Sequence, residues 1–261
     1  MKICPTSHAS SRNGFGLVEV LLASVIIAVF IVMLLSALSR TLDWTAEAKS
    51  ASNLRQLTMA ALAYSADNNS LLFRYRENTP LGVRWFFGFE NRDSLSMPEG
   101  QRQVNRNAGP LAPYIDNAHW VSVCPGFLKY RSLRKPKYGD WVTGGYGLNA
   151  ILTGGVFGVQ QPARVAEIQT PSDVWIFGTC AQINTFQPPA SPSNPMLEEF
   201  YFFDQRETTV HFRFGSGRRA LFSHLDGSVR PYAPLAAEND TRMHPANVER
   251  ATPKNSFTHL R

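Results

Sequence analysis

The chain has 261 residues, 44% of them hydrophobic, enough to bury one large core or two small ones, which excludes a disordered chain. Its 26 Lys and Arg against 20 Asp and Glu give a net charge of +6, but the excess is spread along the sequence and does not by itself mark a nucleic-acid or lipid binder. The three cysteines, Cys4, Cys124 and Cys180, form no C-x-x-C pair and stand beside no metal-spaced histidine, which excludes the zinc and c-type haem motifs.

The first predicted element belongs in a membrane. From Val20 to Ser39 there is no charge, glycine or proline, and a helix of that length rises roughly 30 Å, the thickness of a bilayer's hydrocarbon core. Lys2 and Arg12 precede it with no acid between them, so the positive-inside rule places the N-terminus in the cytoplasm and the bulk of the chain outside. A secretory signal peptide shares the basic start, but its apolar core is usually about 7–15 residues and does not open on an acid. A plain membrane anchor accounts for the length and leaves Glu19 unexplained, since a carboxylate in hydrocarbon costs about 3 kcal/mol and normally has a partner.

The stretch Gly14-Phe15-Gly16-Leu17-Val18-Glu19 resembles the processing site of the type IV pilin and type II secretion pseudopilin family. In that family a short basic leader ends in Gly, Phe usually follows, and a Glu stands at the fifth mature position. The resemblance implies that a prepilin peptidase cuts between Gly14 and Phe15 and N-methylates Phe15, leaving Glu19 four residues from a new α-amine. It further implies that in a filament Glu19 pairs with the N-terminal amine of a neighbouring subunit. An acid in the first turn of a helix is also favoured by the helix dipole. The helix-kinking proline of many major pilins is absent here, which fits the minor or pseudopilin side of the family. Loss of the leader leaves Cys124 and Cys180, which either form one disulfide in an oxidising envelope compartment or remain free buried thiols.

Glycine and proline stay absent until Pro80, so the helix is predicted to run on from near Phe15 to near Asp67 and to end at Asp67-Asn68-Asn69. Leu54, Leu57, Ala61 and Tyr64 recur at intervals of three and four, the stripe of a helix that packs on a domain, with Arg40, Asp43, Glu47, Lys49 and Arg55 on its other faces. The phrase "SNLRQLTMAALAYSADNNSLLF" is similar to the helix end of a large group of pseudopilin-like proteins. These are packing residues and carry no chemistry.

Beyond Pro80, short apolar and aromatic runs broken by Gly, Pro, Asn and Asp predict strands and long loops. "DVWIFGTC" reads as a strand, "YFFDQRETTVHFRF" as a strand or hairpin, and "RRALFSHLDGSVRPY" as a hairpin closed by a type I′ turn at Asp226-Gly227. That hairpin resembles the C-terminal H-x9-DG signature of the same group, except that Ser216 stands ten positions before Asp226 where the signature has His. "VCPG" and "GGYGLNA" also resemble pieces of that group's head, and residues 236–261 read as a polar tail. The expected fold is α+β and pilin-like: a leader over 1–14, a transmembrane and assembly half-helix over 15–40, a soluble half-helix over 41–68, and a head over 69–261 built on an antiparallel sheet with long loops.

The head offers His119, His211, His224, His244 and His259, but Ser216 is only a glycine-flanked serine, not the G-x-S-x-G of a nucleophile elbow. "GGVFG" and "GGYG" lack the Lys and the helix that phosphate loops require. No enzyme activity and no cofactor are expected. Some pseudopilins bind calcium in a head loop, and Asp116, Asp140, Asp204, Asp226 and Asp240 are available, yet none lies in the spaced oxygen-rich run of an EF-hand, so no residue is assigned to a metal. "KYRSLRKPKY", Lys129 to Tyr138, combines five cations with two tyrosines, a pattern shared by single-strand nucleic-acid binders and by exposed loops that keep a domain soluble. The second reading is preferred, and nucleic acid is not an expected partner.

The expected function is that of a structural subunit of a type IV pilus or type II secretion pseudopilus. Its partners are then prepilin peptidase, other pilin or pseudopilin subunits and the inner membrane, which it spans once with the head in the periplasm. A membrane-tethered envelope binding protein and a DNA-binding minor pilin are the alternatives.

Overall fold

The computed structural model describes residues 16–115, 123–139, 141–154, 161–204, 208–234, 242–243 and 248–250. Helix α1 spans Leu17–Asp67, 51 residues, as the absence of helix breakers predicts. The chain divides into two compact units, Met1–Leu42 and Asp43–Arg261.

In the first unit α1 presents its apolar side chains outward. Val20 to Leu35 contribute leucines, valines and isoleucines between 48% and 67% exposed. The stretch is long and apolar enough to cross a membrane, with a mean hydropathy of 3.0 over eighteen residues. The hydroxyl of Ser24 donates to the Leu21 carbonyl at 2.8 Å and that of Thr41 to Ala37 at 3.0 Å. Satisfaction within the helix itself is what hydrocarbon demands of such groups.

In the second unit α1 is the spine. Leu54, Leu57 and Ala61 are almost fully buried and Tyr64 is partly so, the stripe expected from the spacing. Three buried polar groups pair across to the head: Ser50 Oγ lies 3.0 Å from Cys124 Sγ, Asn53 Nδ2 donates to Tyr146 Oη at 3.0 Å, and Thr58 Oγ1 donates to Ser223 Oγ at 2.7 Å. The helix ends in a Schellman-type cap. Asn69 takes a left-handed φ of 52°, and the Ser70 amide donates back to the Ser65 carbonyl at 2.8 Å.

The remaining elements follow in chain order. β1 (Arg76–Thr79), β2 (Gly82–Trp85) and β3 (Gly88–Asn91) form an antiparallel meander, followed by the short helices α2 (Arg92–Leu95) and α3 (Pro125–Leu128). Then come β4 (Tyr146–Asn149), α4 (Ala150–Thr153), β5 (Trp175–Thr179), β6 (Gln182–Asn184), β7 (Met196–Glu198), β8 (Phe202–Phe203), β9 (Thr208–His211), β10 (Ala220–His224), β11 (Val229–Tyr232) and β12 (Val248–Arg250). The main sheet has the order β11-β10-β5-β4-β8, while β6 pairs with β7 and β9 with β12.

Three expectations are corrected here. The main sheet is not wholly antiparallel, because β8 runs parallel to β4 with Leu148 opposite Phe202. The chain passes through β5, β6 and β7 between them, and parallel pairing requires a long crossover of that kind. Of the two readings of "YFFDQRETTVHFRF" the strand holds and the hairpin does not: β8 joins the main sheet and β9 pairs with β12. The β10–β11 hairpin is present, but its turn is not type I′. Only Gly227 takes positive φ, 83°, and its amide donates to the His224 carbonyl at 2.9 Å. The Asp226 carboxylate instead accepts from the Ser228 amide at 2.8 Å, which makes a three-residue turn with a left-handed glycine at its end.

Every residue of β4, β5 and β10 is buried, so the sheet is covered on both faces, and such strands read as continuous apolar runs without alternation. One irregularity sets the faces. Ser223 pairs with Phe177 and His224 with Trp175, so Ile176 is bulged out of the ladder. Trp175 therefore stacks on Phe222 at 4.0 Å between ring centres, while Phe177 stacks on Phe73, which is edge-on to Tyr64 of α1.

Leu57→Ala, a 1%-exposed position on α1, should lower the stability of the head by about 2–5 kcal/mol in urea unfolding of the full chain in detergent. Met59→Ala, 56% exposed two residues on, should stay within about 0.5 kcal/mol, and equal losses at the two positions would refute the assigned packing face.

Candidate functional site

The start of α1 is the first candidate. Gly16 is its N-cap, with the amides of Glu19 and Val20 donating to the Gly16 carbonyl at 3.0 and 3.2 Å. Glu19 sits three residues on and is exposed. Its Oε2 accepts from the Gly16 amide at 2.9 Å, the carboxylate half of a capping box. The cleavage residues Gly14 and Phe15 lie outside the described residues.

The basic stretch Lys129–Tyr138 is only in part the exposed loop that the sequence suggested: Lys129 and residues 131–133 are exposed, while Lys135 and Tyr138 are buried. Lys129 pairs with Asp43 of α1. The Arg134 guanidinium lies 3.7 Å from the centre of the Trp141 ring. Lys135 is fully buried, paired with Glu99 and 3.6 Å from Glu198, and Lys137 lies over the Tyr201 ring. Burial pulls the ammonium groups of Lys135 and Lys137 below the ordinary lysine range, with Glu198 opposing the shift. A nucleic-acid stripe needs its cations at the surface, and Arg131 is the member of this stretch that stands there without a carboxylate partner among the described residues.

Two further buried carboxylates organise the loops around this strap. Glu90 accepts both Arg102 Nε and Nη2, at 2.7 and 2.8 Å, and also Trp85 Nε1, Tyr138 Oη and Ser94 Oγ. Glu199 accepts the amides of Val142, Thr143 and Gly145, at 3.2, 3.0 and 3.3 Å, and the Thr143 hydroxyl. Burial raises the Glu199 pKa, and these donors oppose the rise. The backbone leading into "GGYG" thus gathers its donors around a carboxyl group of the same chain, Gly145 being the member of "GGYG" among them. Its Gly145 has φ 81°, and a Cβ there would lie 2.6 Å from Arg213 Nη1. The Glu199 site was not legible in sequence, because its donors stand more than fifty residues before it.

Among the described residues the candidate catalytic groups are not assembled. Ser216 is exposed in a turn with φ 60°, closed by the bridge between Phe214 and Arg219. His224 is buried, with Nδ1 against the Ser172 carbonyl and Nε2 3.0 Å from Tyr232 Oη, and burial lowers its pKa. His211 is buried edge-on to Phe127 and Tyr130. His119, His244 and His259 lie outside the described residues, as do Asp116, Asp140 and Asp240. Asp204 is buried and Asp226 closes the hairpin turn. Among the described residues no three His, Cys, Asp or Glu side chains cluster to hold a metal.

The Cys124–Cys180 disulfide is not formed. Both thiols are free and buried, and each belongs to a different core cluster, Cys124 with the α1 side and Cys180 with Trp175 and Phe222. Burial pushes the Cys180 thiol up to about 12, only partly countered by Arg213, so it is not a reactive thiolate at neutral pH. Past the end of α1 lies an open cleft of about 390 Å³ whose charged walls are already engaged, Glu77 with Arg84 at 3.6 Å and Arg74 with Gln161 at 3.2 Å. The chain matches no family model, no curated protein and no solved structure.

Lys135→Met leaves Glu198, 1% exposed, without its buried cation and should cost roughly 3–5 kcal/mol, whereas Arg131→Met should stay within about 0.5 kcal/mol, both read by chemical unfolding. For His224 the folded pKa lies below the ordinary 6.5, so on acidification the unfolded chain takes up the proton first. Stability should therefore fall as pH drops below about 6.5 toward the lowered folded value, and His224→Gln should flatten that part of the stability-against-pH curve.

Proposed function

We propose that this protein is a prepilin-like structural subunit of a type IV pilus or type II secretion pseudopilus. Prepilin peptidase cuts after Gly14 and methylates Phe15, the helix anchors the subunit in the inner membrane with the head outside, and the same apolar surface later packs into a filament. The observation that carries the reading is Gly14-Phe15 followed by Glu19 at the head of an outward-facing apolar helix that continues without a break into the spine of a β-rich head. Exchange of lipid contacts for helix contacts brings little hydrophobic gain, so charge pairing sets the register, with Glu19 of an entering subunit meeting the amine of Phe15 on its neighbour. The head supplies packing, not catalysis.

The capping bond of Glu19 to Gly16 supports a second reading, in which the acid only starts the helix of a membrane-tethered binding protein. Two substitutions separate them. Gln caps as Glu does but carries no charge, so under the assembly reading both Glu19→Gln and Glu19→Ala abolish filament incorporation while membrane insertion persists. A Glu19→Gln chain that assembles normally would leave only the cap. The mass of the mature N-terminal peptide tests processing directly: the expected first residue is methylated Phe15, and retention of residues 1–14 would overturn the proposal.

A further inference from the structure

The β6–β7 hairpin and the strap that follows α3 enclose an amine, an amide and a carboxylate together. The Lys135 backbone amide donates to the Leu197 carbonyl at 2.8 Å, which lays Lys135 beside β7. Its side-chain nitrogen is fully buried, 3.6 Å from Glu198 Oε1 and 3.4 Å from Gln187 Oε1, and it also pairs with Glu99. Gln187 is held at both ends: its backbone amide donates to Asn184 Oδ1 at 3.0 Å, and its side-chain oxygen accepts from Asn184 Nδ2 at 2.9 Å. Asn184 Nδ2 and Gln182 Nε2 also donate to Glu198 Oε2, at 2.7 and 2.8 Å. Asn184 and Glu198 are buried with the lysine.

A lysine beside a glutamine at a surface stays inert, because water keeps the amine protonated. The buried site differs on each count. Burial pulls the Lys135 ammonium below the ordinary lysine range, and proton transfer to the enclosed Glu198 replaces two buried charges, which are costly, with two neutral groups. A desolvated lysine amine is a nucleophile. The Gln187 carbonyl oxygen already accepts from Asn184 Nδ2, a donor placed where negative charge develops when the carbonyl carbon is attacked. Glu99 also touches the lysine, but a carboxylate anion resists attack by an amine more than an amide does. Lys135 and Gln187 stand 52 residues apart in sequence, so the fold alone supplies their proximity.

We propose that Lys135 and Gln187 join in an intramolecular amide bond, a cross-link that the folded chain makes by itself between the strap and the loop after β6. Glu198 takes one proton from the Lys135 ammonium, Nζ attacks the Gln187 side-chain carbonyl carbon, and the oxyanion on Oε1 is held by Asn184 Nδ2. The Cδ–Nε2 bond of Gln187 then breaks. Its nitrogen takes a second proton from Nζ and leaves as ammonia, and Glu198 keeps the first, buried and neutral. No oxidant or co-reactant is consumed, and the starting state is the folded chain described above, in which Lys135 is the cation of Glu198. The inference is independent of assembly, so retention of residues 1–14 would overturn the assembly reading and leave this one standing.

The test is peptide mass spectrometry of the full chain purified in detergent. A protease digest should contain a branched peptide joining Lys135 to Gln187, lighter by one ammonia than the sum of its two parts, and Gln187→Met should give only linear peptides. In a time course after synthesis, Glu198→Gln should slow the joining by about a hundredfold. Linear peptides alone from an unaltered chain whose β5 and β10 amides are protected from exchange overturn the proposal. So does a branch that has lost water and joins Lys135 to Glu99, or joining as fast in Glu198→Gln as in the unaltered chain. If Glu198→Gln loses protection in β5 and β10, the digest of the unaltered chain decides.

Discussion

A single helix carries two different kinds of surface, one along each half of its length. Over its first half α1 turns leucines, valines and isoleucines outward on all sides and keeps its hydroxyls bonded to its own carbonyls. Over its second half it carries a stripe of Leu, Ala and small polar residues, of which Ser50, Asn53 and Thr58 bond across to Cys124, Tyr146 and Ser223 in the head. Backbone hydrogen bonding is identical in both halves, so side-chain chemistry alone changes the preferred surroundings.

The aromatic core holds the head together, and buried polar groups fix how its loops lie. Glu90, Glu198 and Glu199 are each enclosed and each gathers donors or cations from distant loops. Such networks add little net stability compared with apolar packing, but leaving one member unpartnered is expensive. Their effect is therefore to fix where the loops lie. A head this rich in irregular backbone, with short strands of two to five residues, needs that fixing more than a long-stranded sandwich would. Three of the five cations of 129–138, Arg134, Lys135 and Lys137, serve this internal purpose, although their local sequence is that of a surface loop.

At the opposite end of the chain, Glu19 has one bond within its own chain and, under the proposed function, a second between chains. The two uses are compatible, because a carboxylate has two oxygens and the cap occupies one. An acid at this position helps to start the helix in an isolated subunit and can still receive an ammonium group from a neighbour.

The sequence by itself determined what periodicity and composition govern: the apolar run, the length of α1 to within two residues at its start, its inner stripe, its Asn-rich stop, the strand at 175–179 and a hairpin around Asp226-Gly227. These are local properties, written in spacings of three and four or in the absence of helix breakers. Tertiary structure alone decided the parallel pairing of β8 with β4, the bulge at Ile176 that sends Trp175 and Phe177 to different clusters, the free state of Cys124 and Cys180, and the burial of Lys135. Each of these depends on which distant segment lies opposite, and a strand, a thiol or a lysine has the same local sequence whether its neighbour is water, a ring or a carboxylate.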